Sequence, residues 1–241
     1  MAALQPLKFL TVNPRAKHTA TVIFVHGLGD SGHGWKPVAD MFSMDAGLSH
    51  IKWILPHAPL MRVTANMGME MPSWFDILDF EGKEQEDEAG MLRAVAQLNK
   101  LIDAEVNAGI PTERIVLGGF SQGGTISLLA ALTSERKLGG VTMLSAWLPL
   151  MRKIKTMATP RNIETPMFWG HGEDDPLIEI DFGVRSVDLL KNDLKVPQGD
   201  HAAPERGGII FNTYEDVPHS TSNQELRDLR EWLKRVLPAS E

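Results

Sequence analysis

The strongest structural signal in the sequence is the segment Ile115-Val116-Leu117-Gly118-Gly119-Phe120-Ser121-Gln122-Gly123-Gly124. An apolar, β-branched run ends in glycines, and a single serine comes just before a second apolar, helix-like stretch at residues 126–132. This strand–turn–helix setting is the one in which Gly-x-Ser-x-Gly forms a nucleophile elbow. The glycines two residues before and after Ser121 are needed because so sharp a turn leaves no room for a Cβ. The alternative is a glycine-rich loop whose serine only caps a helix.

The rest of the chain alternates strand patterns with helix patterns. This alternation predicts a mostly parallel central sheet with helices on both faces. Besides the strand before Ser121, the predicted strands are residues 7–12, 19–26, 51–55, 141–147, 165–172 and 209–214. The predicted helices are residues 35–44, a long helix from Glu84 to Gly109, the helix after Ser121, residues 182–194 and a last helix that begins at a Ser222-x-x-Glu225 capping box. Residues 61–80 are expected to be an irregular loop, and residues 199–208 an exposed polar loop.

Composition narrows the function classes. A length of 241 residues suits one domain spanning residues 1–241. A net charge of −7 argues against nucleic-acid binding, and the lack of cysteine excludes disulfides, thiolate metal sites and a cysteine nucleophile. Because the sequence has neither a signal-peptide pattern nor an apolar stretch of membrane-spanning length, we expect a cytoplasmic protein, with the nucleus as a second compartment.

A serine nucleophile needs a histidine base, and the base needs an acid to orient it. In enzymes with this elbow the order along the chain is serine, acid, histidine. Three histidines follow Ser121. His171 lies in an apolar strand and is interpreted as structural, and His201 lies in the polar loop. His219 follows the last strand, where the arrangement needs it, and is the predicted base.

The acid comes from the run Glu173-Asp174-Asp175-Pro176, which follows a predicted strand. Asp175 is favoured because the ring of Pro176 restricts the backbone of the preceding residue and so fixes its direction. Asp174 is the alternative.

Two backbone amides are candidates for stabilising an oxyanion. One belongs to Gln122, directly after the nucleophile, and the other to Leu28 in the glycine loop at residues 27–34. That loop lacks the spacing of a phosphate-binding loop. Four apolar residues next to predicted strand ends or in the irregular loop are candidates for an acyl-binding groove, with ordinary packing as the alternative: Met71, Trp74, Trp147 and Leu177.

Seven motifs, in order along the chain, resemble those of the acyl-protein thioesterases in the lysophospholipase/carboxylesterase family. The motifs are residues 24–32 (FVHGLGDSG), 56–59 (PHAP), 71–76 (MPSWFD), 118–124 (GGFSQGG), 145–149 (SAWLP), 171–176 (HGEDDP) and 214–220 (YEDVPHS). They cover nearly the whole chain. The chain departs from the family in having no cysteine for lipidation and in a longer polar loop at residues 197–208.

The resemblance implies an α/β-hydrolase fold, with Ser121 as nucleophile, Asp175 as acid, His219 as base, and Leu28 and Gln122 as oxyanion donors. It implies removal of long acyl groups from protein cysteines, so the expected substrates are lipidated proteins. The alternatives are hydrolysis of lysophospholipids or short-chain esters by the same residues, and an inactive fold that serves as a binding module. We expect no metal and no cofactor, at most transient membrane contact, and a monomer or weak homodimer.

Overall fold

A computed structural model describes residues 5–79 and 86–239 of the chain. Its centre is a seven-stranded sheet in the order β1-β3-β2-β6-β7-β8-β9. The edge strand β1 is antiparallel to its neighbour and the other pairs are parallel. The strands of this sheet are β1 (Phe9–Val12), β2 (Ala20–Val25), β3 (Ile51–Pro56), β6 (Ile115–Phe120), β7 (Gly140–Leu144), β8 (Pro166–Gly172) and β9 (Gly208–Tyr214). A separate hairpin contains β4 (Leu60–Val63) and β5 (Met69–Pro72).

Helices cover both faces of the sheet. The helices are α1 (Gly32–Ser43), α2 (Glu88–Asn107), α3 (Gln122–Thr133), α4 (Ile154–Met157), α5 (Ile180–Asn192) and α6 (Asn223–Val236). Apolar side chains of α2, α3 and α5 pack in one core cluster, and those of α1 and α6 in another. Successive residues of β2 alternate between the clusters, with Ile23 in the first and Phe24 in the second. The strand is therefore buried on both faces, which explains its continuous apolar sequence.

The mostly parallel sheet confirms the fold predicted from the alternating pattern. Four loops with candidate site residues, at residues 27–34, 119–123, 171–176 and 216–220, follow the parallel strands β2, β6, β8 and β9. Because the carboxyl ends of parallel strands lie at one edge, these loops meet there. Among the described residues, no helix has both the length and the hydropathy needed to cross a bilayer.

The structure corrects several predicted boundaries. The expected irregular loop at residues 61–80 contains the β4–β5 hairpin, closed by Met67 and Gly68, whose φ angles are +55° and +69°. The alternating methionines did not predict a strand pair, because most of the hairpin faces solvent and neither strand has a fully buried side. Two predicted boundaries lie outside the described residues: the start of the long helix at Glu84 and the end of the irregular loop at Phe80. The predicted strand at residues 141–147 ends at Leu144, because Ser145 turns the chain with a φ of +47°.

The polar loop also contains more structure than expected. Gln198 forms a parallel bridge with Ile209, and a short 3-10 turn covers Pro204–Arg206. The side chain of His201 is exposed.

Candidate active site

Ser121 sits at a strained turn between β6 and α3. Its backbone φ and ψ are +53° and −124°, a region that non-glycine residues rarely adopt. A Cβ on Gly119 would lie 2.4 Å from the carbonyl oxygen of Val25, and one on Gly123 would lie 2.1 Å from the same oxygen. Any larger residue at either position would push the turn away from β2. The packing therefore explains both glycines of the motif.

Three side chains from three loops come together at the carboxyl edge of the sheet. His219 follows β9 and donates from Nδ1 to Oδ2 of Asp175 at 2.6 Å. Its Nε2 lies 3.0 Å from Oγ of Ser121, close enough to accept the hydroxyl proton. Asp175 is 4% exposed and Ser121 is 7% exposed. The imidazole thus bridges a buried carboxylate and a serine hydroxyl, which is the geometry that the chain order predicts.

The surroundings of Asp175 keep its carboxylate charged. Burial would raise its pKa, but the hydrogen bond and positive charge from His219, together with backbone amides, outweigh burial and lower the pKa. Oδ1 accepts from the amides of Leu177 and Ile178, both at 2.9 Å. The turn after Pro176 therefore holds one carboxylate oxygen and leaves the other for the imidazole.

The alternatives left open by the sequence occupy other positions. Asp174 has an exposed side chain, and its amide donates to the carbonyl of Val217. His171 is buried in β8 and its Nε2 donates to the carbonyl of Ile178, in the turn that holds Asp175. His201 lies in the exposed loop before β9. Of the three histidines after Ser121, His219 is the one within hydrogen-bonding distance of its hydroxyl.

The two amides predicted as oxyanion donors have no hydrogen-bond acceptor among the described residues. Leu28 lies in the loop after β2, and Gln122 is the first residue of α3. The first amides of a helix lack intrahelical acceptors and carry the positive end of its dipole. Both amides therefore have a free N–H, and their role as oxyanion donors stays a prediction.

Two histidines that bond the glycine loop at residues 27–34 act as neutral acceptors. Sequence reasoning did not identify this role. His26 is buried and accepts at Nε2 from the amide of Ala58, while Nδ1 donates to the carbonyl of Gly27. His57 accepts at Nδ1 from the amide of Gly32. Burial lowers the pKa of both imidazoles, which favours the neutral form that these bonds require. A histidine directly before the glycine loop was the available signal.

The four predicted groove residues lie in different environments. Leu177 is 58% exposed, and Met71 and Trp147 are partly buried. The ring of Trp147 meets Phe75 edge-on, with centroids 6.2 Å apart. Trp74 differs from the others because it is only 3% exposed and its indole donates to the carbonyl of His26. The groove role of all four residues stays a prediction.

One further contact was not foreseen. The ring of Phe120 packs against the imidazole of His219, with centroids 4.7 Å apart.

Within the described residues, no three side chains of the metal-binding types converge on one point. The chemistry available at this edge is proton transfer through an imidazole beside a hydroxyl, with two free amides nearby.

Comparison with known proteins decides the family. The family model described as phospholipase/carboxylesterase matches residues 7–237. The chain belongs to this family. Acyl-protein thioesterase 1 of Cryptococcus neoformans is 52% identical to it over 237 residues, which cover 96% of this chain and 98% of the relative. Acyl-protein thioesterase 1 of Neurospora crassa is 41% identical over 246 residues, covering 99% and 95%. These findings confirm the resemblance inferred from the motifs, and the chain is a hydrolase.

Two solved structures agree with the fold. Arabidopsis thaliana SOBER1 superposes with a TM-score of 0.80 at 32% identity, covering 91% of this chain and 99% of that one. Zea mays acyl-protein thioesterase 2 also gives a TM-score of 0.80, at 28% identity, covering 95% and 99%. The present chain therefore has the α/β-hydrolase fold expected from its sequence.

Proposed function

We propose that this chain hydrolyses long-chain fatty acyl thioesters on the cysteines of lipidated proteins, through an acyl-enzyme on Ser121. The observation that carries the proposal is the bridge formed by His219, 2.6 Å from Asp175 and 3.0 Å from Ser121. The substrate class is supported by relatives of 41–52% identity that are acyl-protein thioesterases.

In the first half-reaction, Oγ of Ser121 attacks the thioester carbonyl while Nε2 of His219 takes the hydroxyl proton. The carbonyl oxygen becomes an oxyanion, which the amides of Leu28 and Gln122 bind. When the carbon–sulfur bond breaks, the imidazolium returns its proton to the departing cysteine sulfur. The fatty acyl group stays on Ser121 as an ester.

In the second half-reaction, His219 takes a proton from water, and the resulting nucleophile attacks the acyl-enzyme. The oxyanion again lies against the same two amides. Collapse of this intermediate breaks the bond to Oγ, which recovers the proton from the imidazolium. Throughout both steps Asp175 remains ionised, because the lowered pKa of its carboxyl favours the charged form beside the imidazolium.

The second candidate keeps the same residues and changes the substrate to a lysophospholipid or a short-chain ester. The family description, phospholipase/carboxylesterase, favours this alternative. Because both leaving groups pass through the same acyl-enzyme, a comparison of substrates is needed to separate them.

The test measures kcat/KM on four substrates. They are a peptide with S-palmitoyl cysteine, the same peptide with O-palmitoyl serine, a lysophosphatidylcholine and p-nitrophenyl butyrate. We expect the S-palmitoyl peptide to give the highest value and Ser121→Ala to be inactive on all four. A higher value for the lysophospholipid would replace the proposed substrate, and turnover by Ser121→Ala would overturn the proposed nucleophile.

A further inference from the structure

The two candidate oxyanion donors lie in different parts of the chain, yet one short segment, residues 73–75, bonds close to both. This segment directly follows the β4–β5 hairpin, donates a hydrogen bond to the carbonyl of His26 just before the Leu28 loop, and binds the side chain of Gln122. We propose that this segment sets the distance between the amides of Leu28 and Gln122, and that Trp74 is a positioning residue for the oxyanion site. The inference rests on the proposed function, because it assigns the segment a part in the same reaction.

On one side the segment and its neighbour hold the loop that carries Leu28. The indole Nε1 of Trp74 donates to the carbonyl of His26 at 2.8 Å, and the ring of Trp74 packs on that of His26, with centroids 5.1 Å apart. The carbonyl of Pro72, just before the segment, accepts from the amide of Gly29 at 2.9 Å. These bonds fix the backbone on both sides of Leu28.

On the other side the segment holds the side chain of Gln122, which is fully buried. Its Oε1 accepts from the amide of Trp74 at 3.0 Å. Its Nε2 donates to Oγ of Ser73 and to the carbonyl of Phe75, both at 2.9 Å. The side-chain amide is thus bonded at both ends to residues 73–75, while the backbone amide of the same residue remains free.

Trp74 is the residue that links the two sides, because its backbone amide bonds Gln122 and its indole bonds His26. Binding of a tetrahedral oxyanion depends on donor positions to within a fraction of an ångström. Loss of the indole bond removes one of the two hydrogen bonds that hold the backbone on either side of Leu28, without removing either donor. The effect is therefore expected on the transition state and not on ground-state binding.

The experiment compares Trp74→Phe with Trp232→Phe as a matched control. Trp232 is also buried, but its indole nitrogen has no acceptor among the described residues, and it packs on Phe168. Both variants lose the same atoms, and only the first loses a hydrogen bond. The probes are p-nitrophenyl butyrate turnover and inhibition by an alkyl boronic acid, which becomes tetrahedral on the serine.

For Trp74→Phe we expect kcat to fall about tenfold, less than the effect of deleting a donor outright, with KM within about twofold of wild type. Boronic acid affinity should fall by a similar factor. Trp232→Phe should change neither quantity. If the two variants behave alike, or if Trp74→Phe raises KM and leaves kcat unchanged, the proposal is overturned.

A smaller change covers the case in which Trp74→Phe does not fold. Ser73→Ala removes one acceptor of Gln122, and Ser43→Ala removes a buried hydroxyl that donates to a carbonyl of α1 at 2.7 Å. We expect kcat to fall for Ser73→Ala and to stay at the wild-type value for Ser43→Ala. Equal kcat values for the two variants would contradict the proposal. If the wild-type protein hydrolyses the butyrate ester but not the S-palmitoyl peptide, the proposed substrate is contradicted. The comparison of these variants on the butyrate ester remains valid in that case.

Discussion

The two ends of the central sheet each carry a buried carboxylate, and the two carboxylates have different partners. At the carboxyl end Asp175 binds His219 at 2.6 Å. At the amino end Glu105 of α2, which is 3% exposed, binds Lys52 at 2.6 Å and the hydroxyl of Thr21 at 2.7 Å. In both places a buried charge is stabilised by a partner of opposite sign or by a donor.

The difference lies in what the partner can do next. The imidazole of His219 has a second nitrogen, and it lies 3.0 Å from Ser121. The ammonium group of Lys52 can only donate, so the bond to Glu105 ties the start of β3 to α2. The contrast shows that a buried ion pair does not mark an active site by itself. An active site also requires a partner that can pass a proton onward to a reacting group.

The largest effect is expected on turnover, from Asp175→Asn. The amide keeps the shape of the carboxylate but cannot stabilise an imidazolium, so kcat should fall by about 10⁴-fold. The check is kcat on p-nitrophenyl butyrate together with thermal unfolding. Asp174→Asn, which changes the exposed neighbour, is the matched control and should keep wild-type turnover. A loss of less than tenfold in Asp175→Asn would show that this carboxylate does not orient the base.

The corresponding change at the amino end should affect stability and leave catalysis unchanged. Glu105→Ala leaves Lys52 without its partner in a largely buried position, so the free energy of unfolding should fall by about 3–5 kcal/mol. Urea unfolding measures this, and kcat at a temperature where the variant is folded should be unchanged. Asp40→Ala removes the exposed partner of Lys36 and should change stability by less than about 1 kcal/mol. Equal effects of the two substitutions would contradict the assigned role of burial.

The smallest effect, counted per pH unit, concerns a third buried carboxyl, which has no cationic partner. Glu225 is fully buried, and its Oε1 has no hydrogen-bond partner among the described residues. Burial raises its pKa to about 8. Between the unfolded pKa near 4.5 and this value, the folded protein holds a proton that the unfolded chain has released. Stability should therefore decrease by about 1.4 kcal/mol for each pH unit in this range through this group.

Glu225→Gln removes this dependence, because the amide is neutral at every pH and its oxygen can still accept from the amide of Ser222. Urea unfolding at pH 5, 7 and 9 should show a stability difference from wild type that grows in favour of the variant as pH rises. Glu215→Gln, at an exposed position, should follow the wild-type curve. Parallel curves for Glu225→Gln and wild type would exclude a raised pKa.

The sequence allowed the fold and the positions of the candidate site residues to be predicted for physical reasons. Each of Ser121, Asp175 and His219 follows a strand with a recognisable apolar pattern, and parallel strands bring such loops to one edge. The loop after β8 offered three adjacent acidic residues, and the proline after Asp175 favoured that one.

What could not be predicted depends on contacts between distant segments. The indole of Trp74 bonds a carbonyl 48 residues away, and no local pattern in the sequence indicates this contact. The β4–β5 hairpin was not predicted because most of its residues are exposed or only partly buried, and Met67 is 90% exposed at its turn. The burial of Glu225 could not be predicted from the sequence either, because a capping box usually lies on a helix surface.

The decisive measurement is the site of labelling by an alkyl fluorophosphonate, which reacts irreversibly with an activated serine. Digestion and mass spectrometry of the labelled wild-type protein should locate one phosphonate on Ser121, and Ser121→Ala should take up no label. Label on another serine, or undiminished labelling of Ser121→Ala, would contradict the assignment of Ser121 as the nucleophile.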